Sequence, residues 1–317
     1  MGGGILSLAM VQEEKNIAVV GNLVQWYVAM AQFLRLTNRA CHEMSDLGLT
    51  QNRILFYLAF FPEATMGSIS EELVLRRSTV TAAVDVLVDK GLVNRYRAAD
   101  DARVFRVELT DAGRKSFPLY LDRLKSFNSW VQKYTYPERG EELLGIVLSD
   151  AEGLGASHFN LTSLDSEAFV QRLGFDLEKH EADLVFSGLL AVEKVALVYC
   201  RMQKINKEMG FAANNGLLMA YLLSEGRKAP LRQIRLELRL ESGEATVCLH
   251  RLEKKGLVKK RIDAKDRRVA HIRLTAKGLV AANELLDQII PLFSASFPTA
   301  LDAPLYKYIM LPSELKG

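Results

Sequence analysis

A chain that repeats itself must fold one unit twice, and that constraint outweighs anything composition can say. Residues Leu87–Gly113 read LVDKGLVNRYRAADDARVFRVELTDAG, and Leu252–Gly278 read LEKKGLVKKRIDAKDRRVAHIRLTAKG. A shift of 165 residues superposes them without a gap. Leu, the Lys-Gly-Leu-Val tetrad, Ala, Asp, Arg-Val, Leu-Thr and Gly recur in place. The register extends upstream, where Ile69, Glu72, Leu73 and Thr81 meet Ile234, Glu237, Leu238 and Thr246. With 317 residues the chain has room for two domains that each bury a core. A tandem duplication follows, with one domain over residues 1–135, a helical connector over 136–181 and a second domain over 182–317.

Within each copy the hydrophobic period changes in the same order. Leu23–Met44 and Leu189–Met209 carry apolar residues at helical spacing, and so do roughly Thr50–Phe61 and Asn215–Ser224. A short helix, Ser68–Val74 or Leu231–Arg239, precedes a turn and a helix ending at Lys90-Gly91 or Lys255-Gly256, where glycine suits the position just past a helix end. Beyond it the period becomes two: Phe105, Val107 and Leu109 alternate with polar neighbours, as do Ala270, Ile272 and Leu274. Arg97–Arg103 and Asp263–Arg268 then read as hairpin tips. Helical sequence resumes from Gly113 to about Tyr134, in Glu141–Leu148 and Glu167–Leu177, and from Gly278 to about Phe293. Helices followed by a two-stranded basic hairpin predict a mainly α fold with small β wings. Two winged helix-turn-helix domains of this kind place a recognition helix in the major groove of DNA and a hairpin against the adjacent backbone or minor groove.

The residues also carry a family likeness. Ser78-Thr79-Val80-Thr81, the Lys-Gly-Leu-Val turn, and the wing Asp263–Arg268 closed by Leu274, Thr275 and Gly278 resemble the MarR family of transcription regulators. The resemblance covers about 90 residues of each copy plus flanking helices. It implies that the copies form a pseudo-twofold dimer through helical dimerisation elements, fused in one monomeric polypeptide, with double-stranded DNA as partner. By the same resemblance Asp266 and Arg268 pair to shape the second wing, Asp101 and Arg103 do so in the first, and Arg267 projects toward the minor groove. Ala102 stands where the first wing would carry that arginine.

Charge separates the copies. Residues 22–113 hold 10 Lys/Arg against 11 Asp/Glu, whereas 187–278 hold 20 against 9. A basic domain of that strength is the footprint of a phosphate-bearing partner. His250, Arg251, Lys259, Lys260, Lys265 and Arg267 are candidate DNA contacts there, with Arg95 and Arg97 as phosphate contacts on the first wing. The recognition helices differ in the opposite sense. Arg76, Arg77, Ser78, Thr79 and Thr81 set cations and hydroxyls at the first helix N-terminus, where the dipole already favours phosphate. Glu241, Ser242, Gly243 and Glu244 occupy the same place in the second; Glu241 and Glu244 would repel the backbone, although Glu244 could accept from cytosine N4, and Thr246 faces the same half-site.

Other chemistries find little footing. No GxSxG, Walker or HExxH run appears, and the five histidines lack ligand spacing, so neither catalysis nor a metal or other cofactor is expected. Cys41, Cys200 and Cys248 are too far apart in sequence for a zinc motif or a disulfide framework, which points to a reducing cytoplasm and to thiols used in packing. No continuous apolar run approaches the ~20 residues of a membrane span. The resemblance implies a pocket for a small aromatic or anionic effector, for which Trp26, Tyr27, Arg35 and Arg53 are the candidates. Aromatic residues on a helix equally serve as core. The expected function is DNA-binding transcription regulation at a short operator. The alternative is a protein-interaction or anti-repressor module whose winged helices no longer read sequence.

Overall fold

In the computed structural model the described residues are 3–99, 101–117, 139–148, 166, 171 and 178–305. The first copy runs α1 (Gly3–Ser45), α2 (Leu49–Phe60), β1 (Ala64–Thr65), α3 (Met66–Glu72), α4 (Arg77–Asp89), β2 (Val93–Arg97), β3 (Phe105–Leu109) and α5 (Asp111–Lys115). A connector helix, α6 (Gly140–Leu148), follows. The second copy runs α7 (Lys179–Glu208), α8 (Ala213–Ser224), β4 (Lys228–Pro230), α9 (Leu231–Glu237), α10 (Ser242–Lys254), β5 (Val258–Ile262), β6 (Ala270–Leu274) and α11 (Ala276–Ser296). The expected mainly helical fold with small wings is therefore present twice. Most of the helix expected beyond Gly113, nearly all of Glu167–Leu177 and the end of the C-terminal tail lie outside the described residues.

The wings are not two-stranded. Each is a three-stranded antiparallel sheet, ordered β1-β3-β2 in the first copy and β4-β6-β5 in the second. The extra strands have two and three residues, too short to show a period of two. Pro230, which cannot donate to a ladder, sits at the end of an edge strand, where that deficit does no harm.

The recurring Lys-Gly-Leu-Val and Leu-Thr-x-x-Gly motifs form one joint. Gly91 and Gly256 adopt φ of 67° and 70°, which glycine reaches without steric cost. Thr110 and Thr275 cap the next helices by accepting from the amides of Gly113 (3.0 Å) and Gly278 (2.9 Å), and they donate to the carbonyls of Gly91 and Gly256. At Gly113 and Gly278 a Cβ would lie 2.1 Å and 1.9 Å from the carbonyl oxygens of Leu92 and Leu257. Glycine is required there because backbone approaches backbone.

Compactness divides the chain differently from sequence repetition. Among the described residues, one unit comprises residues 3–31 with 201–305, and the other those of 32–200. The boundaries fall inside α1 and α7, so each winged helix is completed by part of the helix that begins the other copy. In the first unit Trp26 of α1 stacks on Phe297 and tilts against Phe293, with ring centroids 6.0 Å apart in both cases. Its indole N–H donates to the Ala300 carbonyl at 2.8 Å, and Asn22 donates to that of Leu301 at 2.8 Å. In the second unit Phe186 and Leu197 of α7 join a core of Ile54, Leu58, Ile69, Leu73, Val80, Val84, Leu87 and Val107.

Contrary to the sequence expectation, α1 contains a stretch, Ile17–Glu43, long and apolar enough to cross a bilayer, with mean hydropathy 1.4. Its apolar residues are interleaved with Gln, Asn and Thr, which hides the run from a continuous reading. Val20, Leu23, Val24, Trp26, Tyr27 and Met30 are buried in the first unit, whereas Ile17 and Leu36 of the same stretch are exposed.

Candidate nucleic-acid interface

In the first copy α3 and α4 form the helix-turn-helix. Thr65 and Ser68 start α3 with reciprocal capping bonds, and the turn passes through Val74 at φ 53°. Val80, Ala83, Val84 and Leu87 bury one face of α4. The opposite face presents Arg76, Arg77, Ser78, Thr79, Thr81 and Ala82 to solvent. Arg76 is the N-cap and makes no side-chain capping bond, so the first-turn amides of α4 have no side-chain acceptor from the N-cap. The Thr81 hydroxyl donates to the Arg77 carbonyl at 3.0 Å and keeps its oxygen as an acceptor.

The first wing is largely tied to itself. Arg95 pairs with Asp85 on α4, and Arg97 donates to the Ala102 carbonyl at 3.4 Å. Both guanidiniums lie over the Phe105 ring, 5.9 Å and 5.5 Å from its centroid. Asp101 shapes the tip by accepting from the Arg103 amide at 2.9 Å.

The second copy repeats the scaffold and changes its chemistry. Ala245, Cys248, Leu249 and Leu252 bury α10, leaving Glu244, Thr246, Val247, His250 and Arg251 exposed. The N-terminus of α10 is filled by its own carboxylates: the Glu241 side chain accepts from the third helical amide, and Glu244 Oε2 accepts from the Glu241 amide at 3.0 Å. Glu244 is thus a cap, and that bond competes with the base-reading role its position suggested. Thr246 donates back to Ser242 at 2.8 Å, as Thr81 does to Arg77.

The second wing is open. Asp263 accepts from the amides of Lys265 (2.8 Å) and Asp266 (3.2 Å) and lies 3.3 Å from His271 Nε2. Those amides, followed by the His271 contact, hold its carboxyl below the usual aspartate range. Asp266 accepts from the Arg268 amide at 2.9 Å, and the guanidinium of Arg268 stands 3.7 Å from the same oxygen. Among the described residues the Asp–Arg side-chain pair closes this wing alone; in the first the bond runs to the backbone amide. Lys259, Lys260, Lys265 and Arg267 are exposed. At the positions of Asp85 and Arg95 this copy has His250 and Lys260, and the α10 carboxylate that reaches the strand, Glu253, accepts from the Lys260 amide at 3.2 Å.

The MarR family model matches residues 45–104, and a winged helix DNA-binding domain model matches residues 217–278. This chain carries two winged-helix domains in tandem, the first of them matched by the MarR family model. It is 36% identical over 87 residues to an uncharacterized HTH-type transcriptional regulator of Bacillus subtilis (strain 168), YkoM; the match covers 27% of this chain. The chain spans about half (53%) of that relative's length. Among solved structures, the transcriptional regulator BldR from Sulfolobus solfataricus is 28% identical, over 36% of this chain and 80% of its own, at a TM-score of 0.32. AbsC, a MarR family transcriptional regulator from Streptomyces coelicolor, is 18% identical over 44% and 88%, at 0.34.

The remaining candidates of the MarR-like domains are placed unevenly. Trp26 is core, and the Tyr27 hydroxyl accepts from Gln203. Arg53 is buried in the other unit, where Nε and Nη2 each reach Glu193 at 2.7 Å and Nη2 also donates to the Leu73 carbonyl at 3.1 Å. Burial alone would depress this guanidinium, but the Glu193 carboxylate raises it. Arg35 is exposed. Cys248 is pushed up to about 12 by burial, with Arg251 opposing, and burial also raises Cys200, so both thiols are packing groups. Sequence reading missed Asp85 and the capping role of Glu241; Val247 is exposed, an apolar group suited to a thymine methyl. Superposing the copies at 165 residues could have flagged Asp85 as a difference.

Proposed function

We propose that the chain binds duplex DNA with both winged helices, as a fused intramolecular dimer, and regulates transcription in the cytoplasm. The observation that carries this reading is the pairing of an exposed helix N-terminus, Arg76 to Thr81, with an unneutralised basic wing around Arg267. Helix N-termini take phosphate, and a projecting arginine suits the minor groove. Because the two readers differ, the preferred operator is not a palindrome; half-sites lie about one helical turn apart. Release by a small aromatic or anionic effector belongs to the same reading and is tested as ligand-induced loss of affinity.

Selection of bound sites from a random duplex library tests the proposal. Neutralising Lys259, Lys260 and Lys265 together should flatten log K against log salt by up to ~3 units, since each phosphate contact contributes ~0.9. Neutralising Arg76 and Arg77 should act at one half-site. A perfect palindrome with equal slopes for both sets refutes the asymmetry, and light scattering above 35.5 kDa refutes the monomer. One observation favours a second reading for the first copy: Asp85 and Ala102 already satisfy Arg95 and Arg97, as a winged helix bound to protein rather than DNA would allow. Absence of any low-salt shift with duplex DNA would select it.

A further inference from the structure

The second sheet has a cationic face of which the reading above uses only Lys259. In the order β4-β6-β5, Lys228 is paired with Arg273, and Arg273 with Lys259, so three cations stand in one row across the strands. Strands lie ~4.8 Å apart, giving a row of roughly 10 Å. One step along, Arg261 is paired with His271. Ala229, Ile272, Val258 and Leu274 alternate with these residues and are buried, so the cations share the face turned from the core. Lys228, Lys259, Arg261 and Arg273 are exposed, and among the described residues none is paired with a carboxylate. The acid beside this face, Asp263, is engaged by His271 and by the amides of Lys265 and Asp266.

Like charges directly opposite one another weaken a sheet. Here they face each other across both strand pairs. In the first copy the matching positions hold Glu63, Glu108 and Asn94, and Asn94 donates to Glu108 at 3.4 Å. The same scaffold therefore tolerates the opposite charge, and folding does not require the cations. An anion that screens them does.

We infer that this face is a second phosphate-binding surface, which holds the duplex backbone beyond the half-site read by α10. The inference rests on the DNA-binding reading and extends it to Lys228 and Arg273, which lie outside the helix-turn-helix and wing tip. The probe is a random-sequence duplex of about 40 base pairs, roughly four helical turns. The variant is Lys228→Gln/Arg273→Gln, which leaves every residue of the reading interface intact. The slope of log K against log salt should fall by about 2 units, one per lost phosphate contact. A duplex of about 20 base pairs, with less backbone outside the half-sites, should show a smaller drop. Thermal unfolding without DNA should be unchanged or shifted upward as repulsion is relieved.

An unchanged slope at both lengths overturns the inference while leaving the DNA reading in place. No binding by the unsubstituted chain at low salt overturns both. An unchanged slope with a lower light-scattering mass for the variant would assign the face to contact with a second molecule of this chain, and would likewise overturn it.

Discussion

The two winged helices share a backbone plan and differ in where their charges are answered. In the first copy Asp85 neutralises Arg95, the Ala102 carbonyl accepts a hydrogen bond from Arg97, and the helix N-terminus is left open between Arg76 and Thr81. In the second the helix N-terminus is closed by Glu241 and Glu244, while the exposed wing cations Lys259, Lys260, Lys265 and Arg267 are without a carboxylate partner for their side chains among the described residues. Each copy leaves open the feature that the other ties up. Duplication within one chain permits this, because two fused copies need not stay identical.

The same contrast reaches the interior. Arg53 and Glu193, with side chains 5% and 2% exposed, form an ion pair in one unit. At the matching positions the other unit has Leu218 and Val28. Arg53→Ala or Glu193→Ala strands a buried charge and should cost about 3–5 kcal/mol in chemical denaturation. Arg53→Leu/Glu193→Val imports the other unit's solution and should recover most of the loss. Equal destabilisation by the single and double variants would break the equivalence of the two interiors.

Where the copies agree, they should respond alike. Gly113→Ala and Gly278→Ala each force a Cβ against a backbone carbonyl, and each should cost about 1–3 kcal/mol. A large difference between them would show that the shared joint is not equally strained.

Where they differ, exchange should transfer the property. Arg267→Ala should lose ~1–3 kcal/mol of DNA affinity in a salt-controlled titration. Ala102→Arg should regain part of that at the first wing. No loss at Arg267 would remove the second wing from the interface. The caps sharpen the comparison next: Glu241→Ala should cost about 1 kcal/mol of stability and yet tighten DNA binding, because it opens the terminus of α10 to phosphate. Weaker binding instead would make Glu241 a reader.

The smallest effect concerns acid. Asp263 is held low, so its turn contributes stability that is present above the ordinary aspartate range and lost as pH falls through its lowered value. As pH falls from the ordinary aspartate range through that lowered value, the Lys265 and Asp266 amide resonances should shift as their acceptor is protonated. The first wing has Ala98 at this position and should show no such step in the same NMR titration.

Much of the fold was legible because repetition and periodicity are local. The 165-residue register, the switch from helical to alternating pattern, the αL glycines and the Thr-x-x-Gly caps all depend on neighbours within a few positions. The basic second wing was legible for the same reason. Bonds between distant positions were not. Asp85 and Arg95 are ten residues apart on different elements, and nothing in either segment announces the other. Glu244 looked like a reader because a carboxylate at that position can either cap a helix or contact a base, and only the geometry of the first turn chooses. Trp26 and Arg53 looked like a pocket on two adjacent helices. The tertiary structure buries Trp26 against Phe293 and Phe297 in one unit, and Arg53 against Glu193 in the other. Sequence determined that the chain would build one winged helix twice. Which helix segment completes each core, and which charges remain free for a partner, was decided by contacts made across 140 or more residues, beyond the reach of any local pattern.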